Sequence, residues 1–107
     1  MAGVNLGNVR AFGVASVALT PALIVLNTTA EQTFTVPGLL VGDVIMSINK
    51  PTSQAGLGIV NYRVTAANTV GITFSNNTGG SITPTAAETY LIVWARPDSV
   101  QAGVAGV

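Results

Sequence analysis

Between Val14 and Pro97 the chain is a succession of short apolar runs cut by Gly, Pro, Asn and Thr. The run "VASVALT" favours a strand and stops at Pro21, which has no amide hydrogen to continue a ladder. "ALIVL", 22–26, is continuously apolar and predicts a short strand covered on both faces. "EQTFTV" alternates, with Gln32, Phe34 and Val36 on one side and Thr33 and Thr35 on the other, until "PGL" breaks it. "GDVIMSIN" then places Val44, Met46 and Ile48 on one face. After the loop "KPTSQAG", "LGIVNYRVTA" sets Val60, Tyr62 and Val64 opposite Ile59, Asn61 and Arg63. "ANTVGITFSN" aligns Val70, Ile72 and Phe74, and "TYLIVWAR" aligns Tyr90, Ile92 and Trp94 against Leu91, Val93 and Ala95. A period of two in Val, Ile, Thr and aromatic residues, punctuated by turn formers, is the signature of strands. No window carries a helical period beyond a single turn near "TAAET". The pattern predicts an all-β fold, a small β-sandwich or jelly-roll-like domain. Its core is expected to comprise Phe34, Val44, Met46, Val60, Tyr62, Val64, Ile72, Phe74, Ile92 and Trp94.

The ends read differently. Residues 1–12, "MAGVNLGNVRAF", show no period, and 99–107, "SVQAGVAGV", is Gly and Ala with scattered Val. The expected organisation is an extended N-terminal arm over 1–12, a β-sandwich domain over 13–98 and a flexible tail over 99–107. The arm carries Val4, Leu6, Val9 and Phe12 without a core-facing period, and Arg10 as its one charge. Such a segment is useful only against a partner, so these five residues are the candidate partner-binding set. No apolar run approaches the roughly 20 residues a spanning helix needs, and no membrane partner is expected. "AFGVASVALTPALIVL" is a poor leader, because the only cation, Arg10, sits late, Pro21 splits the run and no A-x-A site follows closely.

Composition sharpens this picture. Of 107 residues only 7% are charged, against about 25% in an average domain, and the formal net charge is zero. Zero net charge weakens colloidal repulsion and favours association. Arg10, Lys50, Arg63 and Arg96 are widely spread, which argues against nucleic acid as a partner. There is no Cys and no His, so the sequence offers no thiolate and neither the commonest general base nor the commonest metal ligand. The carboxylates Glu31, Asp43, Glu88 and Asp98 show no spacing that predicts convergence, and no enzymatic activity, cofactor or metal is expected. The Gly56–Gly58 pair opens a strand rather than a phosphate-binding turn. "NTT" at 27–29 and "NNT" at 76–78 match the glycosylation acceptor but read better as turns, in which Asn and Thr bond their own backbone. Tyr90 and Trp94 share a face that would serve either a core or a sugar-binding platform, the core being the commoner use.

The segments "PGLLVGD" (37–43), "KPTSQAGLGIVNYRV" (50–64), "ANTVGITFSNNTGG" (67–80) and "ETYLIVWARP" (88–97) together resemble the small virion proteins of tailed bacteriophages that decorate or cement the head shell. The resemblance covers about 60 residues, from Val36 to Pro97, and lies in a fold-level pattern rather than a catalytic motif. It implies a β-sandwich or jelly-roll-like module on the outer surface of the capsid, bound to the major capsid protein and assembled in the host cytoplasm. It implies no active-site residues. Homo-oligomerisation is expected from the uncharged surface, with a trimer preferred over a dimer because capsid lattices offer three-fold positions. Two other readings compete: a tail- or head-fibre module that contacts host glycans, and a small secreted β-protein with a cleaved leader.

Overall fold

The computed structural model describes residues 8–98. Six strands, β1 (Val9–Leu19), β2 (Thr28–Thr35), β3 (Val44–Asn49), β4 (Leu57–Ala66), β5 (Thr69–Asn76) and β6 (Glu88–Pro97), form two three-stranded antiparallel sheets. The sheet orders are β1-β6-β3 and β2-β5-β4. No helix occurs among the described residues. The architecture is thus all-β and sandwich-like. Only β4 and β5 are joined within one sheet; every other connection changes sheet. The β4–β5 turn, Ala67–Asn68, puts Asn68 in the left-handed region at φ 58°, which Asn tolerates better than most residues.

Both central strands are apolar toward the interior. Val70, Ile72 and Phe74 of β5 and Tyr90 and Ile92 of β6 are fully buried, and Leu19, Ile24, Val36, Leu39 and Ile45 complete the core. Phe34, Tyr62, Val64 and Trp94 pack against it half-buried. The expected core therefore holds for Phe34, Tyr62, Val64, Ile72, Phe74, Ile92 and Trp94.

It fails for Val44, Met46 and Val60, which are 53%, 51% and 60% exposed. Two β-bulges are the reason. In β3 the pairing with β6 jumps from Ile45↔Trp94 to Ser47↔Val93, so Met46 is an extra residue. In β4 the pairing with β5 jumps from Ile59↔Phe74 to Asn61↔Thr73, so Val60 is extra. A bulge sets two residues against one and shifts the alternation by one position. Ile45 and Ile48 then face inward with Met46 and Ser47 outward, and Ile59 and Tyr62 face inward with Val60 and Asn61 outward. Val44 is outward for the simpler reason that its neighbour Ile45 faces the core. The Tyr62 hydroxyl donates to the Met46 carbonyl at 3.2 Å, linking the strand that holds one bulge to the other bulge itself.

The segment 22–26 is not a strand covered on both faces. Only Ile24 is buried, bridged to Ile82, while Leu23, Val25 and Leu26 are exposed. Pro21 lacks a donor, and the Gln32 side chain takes both backbone groups of Ala22, accepting at 2.8 Å and donating at 2.9 Å. The chain here crosses between sheets instead of joining one. Asn76, buried at the end of β5, ties this crossing to the next. Its amide donates to the Ile24 and Gly80 carbonyls and its oxygen accepts from the Thr78 amide and hydroxyl. Asn27 sits at φ 47°, and the Thr28 hydroxyl donates to the Leu26 carbonyl. Both Asn-Thr clusters are thus turns.

Candidate interaction surface

In an antiparallel strand successive side chains take opposite faces, so the inward set of sheet β1-β6-β3 fixes its outward set. Ala15, Val17 and Leu19 of β1 face the core, which turns Phe12, Val14, Ser16 and Ala18 outward. Register then builds rows across the three strands: Phe12, Ala95 and Val44; Val14, Val93 and Ser47; Ser16, Leu91 and Asn49. Phe12 is 57%, Val14 59% and Leu91 40% exposed, beside Val44 and the bulged Met46. No charged side chain lies in these rows. Arg10 sits at their upper edge, where the β1–β6 register slips between Val9 and Ala11.

The other sheet shows the opposite chemistry. Its outer face carries Thr29, Glu31, Thr33 and Thr35 of β2, Asn61 and Arg63 of β4 and Thr73 and Ser75 of β5, with Val60 of β4 its one large apolar group. Arg63 of one edge strand reaches Glu31 of the other through two 2.8 Å hydrogen bonds, passing over Gly71 of the central strand. A Cβ at Gly71 would lie 2.5 Å from the Glu31 carboxylate, so only glycine leaves room for this bridge.

The remaining charges close the two ends of the sandwich. At the end where β1 begins and β6 finishes, Arg96 grips Asp43 with two 2.8 Å bonds, donates to the Gly38 carbonyl at 2.8 Å and stacks 4.9 Å above the Trp94 ring. Trp94 in turn lies against Gly13, where a Cβ would meet the indole at 2.7 Å. Asp43 also accepts from the Leu40 amide, and these bonds, that from Arg96 first, hold its carboxyl below its ordinary value. At the opposite end Lys50 lies 3.0 Å from Glu88, which also accepts from the Thr52 hydroxyl. The Thr52 hydrogen bond, then the ammonium of Lys50, lowers the Glu88 pKa. Gln54 binds the Thr83 carbonyl and the Thr85 amide across the same gap. Beside Glu88 the buried Tyr90 hydroxyl has no hydrogen-bond partner among the described residues. Burial, then the Glu88 charge, pushes its pKa up to about 12.

Three of the four cations and three of the four anions are therefore paired within the chain. Among the described residues no group of three His, Cys, Asp or Glu side chains converges, and no helix is long and apolar enough to cross a membrane. Tyr90 is buried and Trp94 is held between Gly13 and Arg96, so the pair forms no open aromatic platform. Of the five residues expected to bind a partner, Val9, Arg10 and Phe12 lie in β1, paired with β6. Phe12 joins the apolar face, Arg10 lines a shallow cleft with Asp43, Arg96 and Asp98, and Val9 is half-buried. Val4 and Leu6 lie outside the described residues, as does the tail 99–107. Val14, Val44, Met46 and Leu91 escaped the sequence reading as surface groups. The available signal was that Tyr90–Ala95 is apolar at both parities, which in an antiparallel sheet marks a strand with two faces to cover.

These features define a sandwich-like β domain with one apolar and one polar outer face. No family model matches the chain, and no curated protein and no solved structure matches it.

Proposed function

We propose that this protein is a structural component of a bacteriophage virion. It decorates the outer surface of the capsid, binds the major capsid protein and stabilises the shell, and it works as a homo-oligomer assembled in the host cytoplasm. The observation that carries this reading is a surface almost without available charge: the ion pairs are internal, while Val41, Leu23, Val25 and the outer face of β1-β6-β3 remain exposed. Large exposed apolar areas mark docking surfaces, and neutral ones dock with little dependence on salt. The resemblance of residues 36–97 to head-decoration proteins supplies the capsid as partner. In this reading the N-terminal arm extends the contact. Val4 and Leu6 would add apolar contact, and Val9, Arg10 and Phe12 take part from within β1, with Arg10 pairing a capsid carboxylate.

The test is stoichiometry in purified virions. Quantitative mass spectrometry should find this chain at a copy number comparable to that of the major capsid protein. A few copies per particle would support a fibre module instead, and absence from virions would overturn the reading. Removing residues 1–8, which leaves β1 whole, should keep the β-rich circular dichroism spectrum while heads shed the protein on mild heating. Retention equal to that of the full chain would remove the arm from the mechanism.

A further inference from the structure

We propose that the outer face of β1-β6-β3 is where two copies of this chain pair, sheet against sheet, about a two-fold axis. The inference stands on the face itself and goes beyond the virion reading. Antiparallel sheets commonly leave one face to solvent, and that face is then polar. Sheet β2-β5-β4 obeys this rule, with its Thr, Ser and Asn rows and the Arg63–Glu31 bridge. Sheet β1-β6-β3 breaks it with Phe12, Val14, Val44, Met46 and Leu91. The β3 bulge adds one outward residue, since it leaves Ser47 outward beside Met46.

The second copy is the occupant the observations favour. The rows contain no charge, so bringing two such faces together buries no unpaired ion and sets no like charges opposite each other. Large and small side chains alternate within the rows, Phe12 beside Ala95 and Leu91 beside Ser16, which gives each copy both projections and hollows. β1 and β6 are 11 and 10 residues long and β3 is 6, so at about 3.3 Å per residue and about 4.8 Å between strands the face covers about 430 Å² in plan. Two copies cover about 850 Å² in plan, a flat-projection figure that lies below the roughly 1,200–2,000 Å² of stable interfaces and that side-chain relief increases. Packed sheets lie about 10 Å apart with strands about 30° off parallel, which a flat, branched, uncharged face accommodates. A two-fold dimer uses one patch twice, whereas a closed trimer needs two different complementary patches. The described sheets offer one apolar outer face, and the other is polar.

Sedimentation equilibrium of the full chain at micromolar concentration should give twice the monomer mass. Leu91→Glu, on the central strand of the face, and Val14→Lys, on its edge strand, each place like charges across the two-fold and should raise the dimer dissociation constant by at least about 100-fold. Thr29→Lys, on the polar sheet, should leave the dimer unchanged. Circular dichroism confirms folding, and should Leu91→Glu unfold, Val14→Lys decides. A monomeric or trimeric wild-type chain overturns the proposal, as does a dimer that survives the face substitution. A monomeric wild type whose Leu91→Glu variant no longer binds heads assigns the face to the capsid protein and overturns it too. Virion binding separates the two claims. A face variant that is monomeric yet still decorates heads supports the face pairing with the virion reading intact. A wild-type dimer absent from virions supports the pairing and overturns only the virion reading.

Discussion

At the scale of single residues, two buried side-chain oxygens lack a hydrogen bond among the described residues, the Tyr90 hydroxyl and Glu88 Oε1, and the second has a charge beside it, the Lys50 ammonium at 3.0 Å. Asn76 uses both amide hydrogens and accepts twice at its oxygen. That local turn role was legible in "NNT", because an Asn followed two residues later by a backbone amide is common turn chemistry. Its longer reach to Ile24, 52 positions away, was not, since nothing local encodes it. Tyr90 is the contrast: the ring fills the core and the hydroxyl is buried without a partner among the described residues. A buried unsatisfied hydroxyl costs free energy, and removing it while keeping the ring removes that cost. Tyr90→Phe is therefore expected to be neutral or to stabilise by up to about 1 kcal/mol, read from urea unfolding midpoints at neutral pH. A loss of 1 kcal/mol or so would mean that the hydroxyl has a partner in solution.

At the scale of elements, the sequence marked a run within each of the six strands, but it left Val9–Phe12 of β1 in an arm, added a strand at 22–26 and misread the facing of two. Strand β2 alternates throughout, and the inward residues Phe34 of β2, Val70, Ile72 and Phe74 of β5 and Tyr90 and Ile92 of β6 are those the sequence aligned. Strands β3 and β4 do not keep one alternation, because one register shift in β3 and two in β4 each reverse the parity beyond them. "IVNY" offers Ile59 and Val60 as equally apolar neighbours, so composition cannot say which one the core takes. The choice is made by partners distant in sequence, Phe74 and Ile72, whose own inward direction forces Ile59 and Tyr62 to follow. The segment 22–26 shows the same limit, since its apolar run is split by the competing hydrogen bonds of Gln32. The bulge makes a sharp contrast testable. Ile59→Ala should cost about 1–3 kcal/mol, below the range for a fully buried isoleucine because the residue is half-buried. Val60→Ala, one position on, should change the stability of the monomer by no more than about 0.5 kcal/mol. The reverse order in chemical denaturation would place the bulge elsewhere in β4.

At the scale of the whole molecule, the ends of the sandwich are latched by carboxylates, and that sets its response to pH. Arg96–Asp43 anchors the β2–β3 connection, and Lys50–Glu88 with Thr52 joins the β3–β4 and β5–β6 connections. Asp43 and Glu88 have folded pKa values below their ordinary 3.8 and 4.5. A group whose pKa is depressed by folding contributes stability that is present above its unfolded pKa and lost as pH falls through the folded one. Glu31 shifts the same way, but its pair with Arg63 is exposed and solvent-screened, so it adds little. Tyr90 acts at the other limit. Its pKa rises from 10 to about 12, so between those values the folded chain keeps a proton that the unfolded chain sheds, and stability falls as pH rises. With no His in the chain, no side chain with an ordinary pKa titrates in the middle. Thermal unfolding followed by circular dichroism should therefore give a Tm that is level from pH 4.5 to 10 and declines on both sides. Asp43→Asn should lower the plateau, because Arg96 loses its partner, and should shrink the acid decline. Tyr90→Phe should leave the plateau in place and flatten the alkaline decline alone. An alkaline decline undiminished in Tyr90→Phe would assign that limb to another group and remove the buried phenol from the account.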